Sequence, residues 1–372
     1  MRGKRMEYVM VFVFIVAFMN PFNVMALDSE EQSEYEELTL QTALETTLKN
    51  NLEIRNAERE INQFLKMRER ASDRINMLPP GTPATTYNKN QQVLNLVQRD
   101  LAWQQKRKEL EMKKDQIMYR AIEEYYQLIK EQLNESLMKD KLDLHEKLNY
   151  IQSVQYGQGV TSRIDKNVND RELLDSEKET ALASESLQGK NQELNELMRV
   201  SRNNRYVATD MPEYEPLGRF NLTGHISNVK NSSVAIWLAN SQVDLVRLEL
   251  SIYNIDNEFN PVPYDAAKID EAKAQTNVTS AAEQLESTVR SAYRAITELE
   301  EQMERLEIQR EIIEEKISRV SAKYSVGMAT SFELEQIQFS LKEIDVQQSE
   351  LIMQHELLKD LLRTPWAMGG IM

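Results

Sequence analysis

The chain has 372 residues with no cysteine and only 10 glycines and 9 prolines, which excludes a disulfide-stapled or loop-rich fold. Charged residues make up 28% and apolar residues 41%, at a mean hydropathy of −0.57, so long amphipathic helices fit and a polytopic membrane protein does not. A net charge of −15 excludes nucleic-acid binding through the overall field.

At the N-terminus, Arg2, Lys4 and Arg5 precede an apolar run from Val9 to Met19 and then Val24-Met25-Ala26. This is the layout of a secretory signal cut near Ala26, and the run is shorter than the ~20 residues a spanning helix needs. No cysteine is available there for lipidation. The expected organisation is a signal peptide over 1–26, a first helical repeat over 27–216 and a second over 217–372.

Beyond the signal, prolines fall only at 79, 80 and 83, at 212 and 216, at 261 and 263, and at 365, so everything between can be helix. The pattern predicts helices at roughly 39–76, 90–155, 163–203, 226–256, 265–323 and 331–363. Lys106-Arg107-Lys108 with Lys113-Lys114 is a basic run interleaved with Glu109 and Glu111, which reads as a solvated helix face. Tyr125, Tyr126 and Tyr293 stand at seam spacing and are expected in the core.

Two helix breaks contain no proline. They are Tyr156-Gly157-Gln158-Gly159-Val160-Thr161-Ser162 and Tyr324-Ser325-Val326-Gly327-Met328-Ala329-Thr330-Ser331. In each, glycine can take the left-handed helix end and Ser or Thr can cap the next helix. Approaching the second turn, apolar residues recur in steps of 4 and 3 from Leu285 and Val289 to Ile317, Val320 and Tyr324, with Arg310 the interruption. Leaving it, Leu334, Ile337, Leu341, Ile344, Leu351, Leu358 and Leu362 continue the rule, with Gln348 and His355 in two seam positions. A sustained 3,4 repeat specifies coiled-coil packing, and a short glycine turn folds it into an antiparallel hairpin.

Subtracting 168 from Tyr293, Tyr324, Gly327 and Thr330 lands on Tyr125, Tyr156, Gly159 and Ser162, so the chain is a tandem duplication. A weaker echo matches Leu48-Lys49-Asn50-Asn51 to Val229-Lys230-Asn231-Ser232. His145, His225 and His355 are far apart in sequence, and His355 reads as a packing residue. No HExxH, cysteine cluster or phosphate loop is present, so neither catalysis nor a cofactor nor a metal is expected.

Leu38-Thr39-Leu40-Gln41-Thr42-Ala43-Leu44, followed by Leu48-Lys49-Asn50-Asn51-Leu52-Glu53-Ile54, resembles the opening of TolC-like outer-membrane efflux proteins. The twofold repeat and the Tyr-x-x-Gly turns at 156–159 and 324–327 resemble that family as well. The resemblance implies an all-α fold of tandem long coiled-coil hairpins, assembled as a homotrimer into one hollow tube. It also implies docking of the hairpin tips on a periplasmic-adaptor-like protein linked to a membrane efflux pump. The tip residues would be Tyr156, Gly159, Val160, Ser162, Tyr324, Gly327, Met328, Thr330 and Phe332, with Val160, Met328 and Phe332 exposed for the partner. Asp165 and Glu333, six residues past each tip glycine, would narrow the lumen, while Gln336 stands where the family often has a second acid.

The sequence departs from the family where paired membrane β-strands would be inserted. Met77 to Gln91 and Tyr253 to Asp265 lack both length and alternation, and their prolines would remove ladder donors. The expectation is an exported conduit subunit of the cell envelope whose membrane barrel is missing, standing in the wall space if the cell has no outer membrane. The alternative is an exported coiled-coil structural or adaptor protein without transport activity.

Overall fold

The computed structural model describes residues 36–76, 87–251, 253 and 263–368. The expected signal peptide and the greater part of both proline-bearing segments lie outside the described residues. The order is β1 (Glu36–Leu38), α1 (Leu40–Asn50), α2 (Leu52–Asn76), α3 (Tyr87–Gly157), α4 (Arg163–Met198), β2 (Tyr206–Ala208), α5 (Leu222–Ser232), α6 (Val234–Ser251), α7 (Tyr264–Ser325) and α8 (Ser331–Arg363). At ~1.5 Å per residue, α3 and α7 are rods of roughly 106 and 93 Å.

The helices lie side by side in one layer. At the tip end the order of contact is α4, α3, α8, α7; at the other end it is α2, α3, α6, α7. The long helices α3 and α7 run through both halves. Each helix therefore buries its flanks and keeps two wet faces, which is why the apolar stripes are narrow and the charge content high. Only ten residues separate Asn76 from Tyr87 and twelve separate Ser251 from Tyr264, whereas a pair of membrane strands needs about 20 residues plus a turn. Among the described residues the strands are β1 and β2 alone, and there is no closed barrel.

Several helix bounds differ from those predicted, each for a local reason. The first helix breaks at Asn51, whose carboxamide accepts the Glu53 and Ile54 amides at 2.8 and 3.2 Å. Ser233 breaks the expected 226–256 helix in the same way, its hydroxyl accepting the Ile236 amide at 3.4 Å, and the paired helix starts four residues earlier than predicted, capped by Asn221. Thr39 with Asn221, and Asn51 with Ser233, are each 182 apart, so the echo between the two openings is shifted one residue from the Asn51–Ser232 match. The helix expected to reach 203 stops at Met198, where Arg199 takes φ 55°.

Midway along α3, polar ties hold the first repeat together. β1 and β2 pair in parallel, Glu36 with Tyr206 and Leu38 with Ala208. Tyr125, fully buried, donates its hydroxyl to the Leu38 carbonyl at 2.8 Å and accepts the Thr209 and Asp210 amides at 3.1 and 3.0 Å. Asn191 accepts the Tyr206 amide at 2.9 Å, and Asn195 donates to the Asn204 carbonyl at 2.8 Å. Tyr126, Leu128, Leu194 and Met198 pack around these ties. In the second repeat Ile226, Val229, Leu285, Val289, Ala292 and Ile296 pack against Leu361 and Leu362, with Tyr119 of α3 against them. Tyr293 stacks there on Phe220 at 5.8 Å between ring centroids. His355 is buried as a packing residue beside Tyr214, its Nε2 3.2 Å from Glu300. The basic run is paired with acids, Lys106 to Glu109 and Lys108 to Glu111, both at 2.8 Å.

The two repeat-equivalent tyrosines should respond differently to loss of the hydroxyl. Tyr125→Phe strips three buried backbone partners and is expected to cost about 2–3 kcal/mol in denaturant unfolding. Tyr293→Phe, whose contribution is ring stacking, is expected to stay within about 0.5 kcal/mol.

Candidate functional site

The two hairpin tips are built alike. Gly159 and Gly327 sit at φ 73° and 75°, the left-handed conformation that a side chain disfavours. The Gly159 amide donates to the Tyr156 carbonyl at 3.0 Å and the Val160 amide to the Gln155 carbonyl at 2.9 Å. In the second tip Gly327 donates to Tyr324 at 3.0 Å and Met328 to Lys323 at 2.8 Å. This paired closure satisfies carbonyls that a helix end otherwise leaves open.

The next helices start on hydroxyl caps. Ser162 accepts the Asp165 amide at 3.1 Å and Thr330 accepts the Glu333 amide at 3.2 Å. The caps then diverge: the Glu333 carboxylate reaches back to the Thr330 amide at 3.2 Å and completes a capping box, whereas the Asp165 carboxylate accepts the Ser162 hydroxyl at 2.7 Å. Both acids are exposed, yet each is folded back onto the start of its own helix.

The tips expose apolar side chains. Val160 and Met328 are 72% and 79% exposed, and Tyr156 and Tyr324 lie open beside them. Ile164 and Val326, which the sequence reading passed over, are as exposed as Val160. A large aliphatic next to a tip glycine, or two residues past a cap, was the available signal. Phe332 differs from expectation: it is half-buried in a groove of about 370 Å³ lined also by Tyr150 and Ile151 of α3. The reason is that α8 packs on α3, so Phe332 on its first turn faces the other hairpin.

Ion pairs run along that contact. Lys147 meets Glu335 at 2.6 Å, Lys130 meets Glu350 at 3.5 Å, and Lys342 meets Asp140. The Glu335 hydrogen bond holds the Lys147 ammonium above the usual lysine range. Among the described residues no group of His, Cys, Asp and Glu could hold a metal ion, and no helix is long and apolar enough to cross a membrane.

No protein-family profile matches the sequence, and no curated protein sequence matches it. Solved structures do. The chain is similar to CusC, described through conformational changes accompanying folding and transmembrane channel formation, with TM-score 0.65 and 11% identity over 92% of this chain and 95% of that one. It is similar to the outer-membrane channel OprN with TM-score 0.65 and 12% identity over 89% and 90%. It is similar to the outer membrane protein VceC from Vibrio cholerae with TM-score 0.62 and 13% identity over 89% and 96%. The chain thus has the TolC-like helical fold that its opening motif and twin turns resemble.

The turn geometry makes four glycines distinguishable. Each has open space where a Cβ would stand, so only backbone conformation matters. Gly159→Val and Gly327→Val should each destabilise by about 1–2 kcal/mol. Gly189→Ala, inside α4, should stabilise by about 0.5–1 kcal/mol. Gly157→Ala, at the end of α3 without positive φ, should be neutral or mildly stabilising in the same denaturation assay.

Proposed function

We propose that the protein is an exported, TolC-like conduit subunit: a passive helical tube, closed by three copies, whose tips dock on an adaptor joined to a membrane transporter. The observation that carries this reading is a single-layer wall with two apolar flanks. On one flank α4 exposes Leu174 and Leu182; on the other α7 exposes Ile308 and Ile312, all about half exposed or more. Leu174 stands fifteen residues after Gly159 and Ile312 fifteen before Gly327, so the two lie at the same height above the tips. A wall whose opposite edges carry apolar residues at matched height closes on copies of itself. The fold shared with outer-membrane channels supports the same reading.

The exposed tip residues Val160, Ile164, Val326 and Met328 offer the adaptor an apolar landing, with Tyr156 and Tyr324 behind them and Phe332 bracing the two hairpins. Asp165 and Glu333 from three copies would form a ring of six carboxylates at the narrow end, held by the Ser162 and Thr330 caps. One observation favours the scaffold alternative: connections of ten and twelve residues leave no room for a membrane barrel.

Protein beginning at Leu27 should be a trimer by light scattering, with a stain-filled lumen in electron micrographs. Leu174→Asp or Ile312→Asp, each at an exposed position, should leave helicity unchanged and shift the species to monomer at micromolar concentration. A wild-type monomer of full helicity counts against the conduit; a solid trimer without lumen moves the scaffold to first place.

A further inference from the structure

The duplication makes the two hairpins comparable residue by residue, and their tipward seams are opposites. Along α7 the seam is Ile313, Ile317 and Val320; the positions 168 earlier in α3 are His145, Asn149 and Gln152. Along α8 it is Leu334, Ile337 and Ile344; the matching residues in α4 are Lys166, Asn169 and Ser176. Leu173 with Leu341 is apolar in both, and at Leu142 with Arg310 the contrast is reversed.

Some of the polar seam residues find partners. His145 donates from Nδ1 to the Glu172 carbonyl at 3.2 Å, and Asn149 donates to Asp170 at 2.8 Å, with Lys166 on the same carboxylate. Others do not. Gln152 Oε1, Asn169 Nδ2 and Ser176 Oγ are buried without a protein hydrogen-bond partner, and Asn169 and Ser176 are 8% and 2% exposed. These three replace Val320, Ile337 and Ile344. Among the described residues of α7 and α8 no buried side-chain polar atom lacks a partner. Burying such groups disfavours the closed hairpin, and parting the helices hands them to water.

The polar stretch has a defined upper limit. At Thr180 the hydroxyl donates across to the Met138 carbonyl at 3.1 Å, Lys141 meets Glu179 at 2.6 Å, and Ser184 donates to Glu135 at 2.7 Å. Ala183 and Leu187 are the buried seam residues beside and beyond this crossing, before Asn191 and Asn195 tie α4 to the β2 segment. The caps point the same way, since the second hairpin has the complete capping box and the first does not.

We infer that the first hairpin is the yielding one: α3 and α4 part between the Gly159 tip and the Thr180 crossing while α7 and α8 stay zipped. This is a property of one chain and holds whether or not three copies close a tube. It makes the tip end asymmetric, with one apex on a fixed rod and the other on a rod that opens.

Amide hydrogen exchange of the full mature protein, read by mass spectrometry, tests it without a variant. Amides of 145–153 and 166–176 should exchange at least about tenfold faster than those of 313–321 and 334–344, which lie at the same distance from a tip. Equal or slower exchange in the first hairpin overturns the inference. Ser176→Ala removes an unpaired hydroxyl and adds no volume, and it should slow exchange across 166–176 by about threefold or more. Unchanged exchange in that variant overturns the seam as the cause. Gln152→Val with Asn169→Ile and Ser176→Ile transplants the second seam and should bring the two hairpins within about twofold. If that triple variant fails to fold, the wild-type comparison and Ser176→Ala still decide.

Discussion

Everything in this molecule depends on helices packing by their flanks in one layer. A helix inside a globule can bury a broad face; one in a wall has only two narrow stripes to bury and must keep the rest wet. The 3,4 spacing through α7 and α8 is that stripe, and the interruptions show what the geometry tolerates. Arg310 lies across the seam to Asp345 at 3.1 Å, and His355 is admitted where Glu300 and Tyr214 receive it. Ion pairs decorate the flanks abundantly, but exposed pairs contribute ~0–1 kcal/mol each, so they set alignment more than they hold the wall.

Local signals with a steric or hydrogen-bonding cause were legible in the sequence. Glycines at positive φ, hydroxyl caps three residues on, and one register relating both hairpins placed the tips to within a residue or two of their observed bounds. Features made by partners distant in sequence were not legible. β1 and β2 are three residues each, too short to carry alternation, and they exist because Tyr125, Asn191 and Gln132 receive their backbone groups. The breaks at Asn51 and Ser233 are side-chain caps inside otherwise helical patterns, where an Asn or Ser gives no warning that it will turn on its own backbone. Of the candidate site, the tip residues could be named, but Phe332 could not be assigned to the groove between hairpins before α8 was known to lie on α3.

The duplication has kept the backbone and released the seams. The same turn, the same hydrogen bonds and nearly the same φ recur 168 residues apart, while the packing behind them went polar in one copy and aliphatic in the other. Turn geometry admits few residues, whereas a flank seam accepts anything that fits beside its neighbour. Two hairpins descended from one can therefore differ in rigidity and still present similar apices.

The parallel strand pair also bears on how the chain matures. A chain is made from its N-terminal end, and β1 waits for β2, 170 positions later, before it has a partner. By then all of α1 to α4 has emerged, so the strand pair can clasp the first repeat shut using residues 36–210 alone. The second repeat has no such independence, because α8 lies against α3 and Trp366 donates to Asp115 at 2.8 Å. The first half can thus serve as the template on which the second is laid.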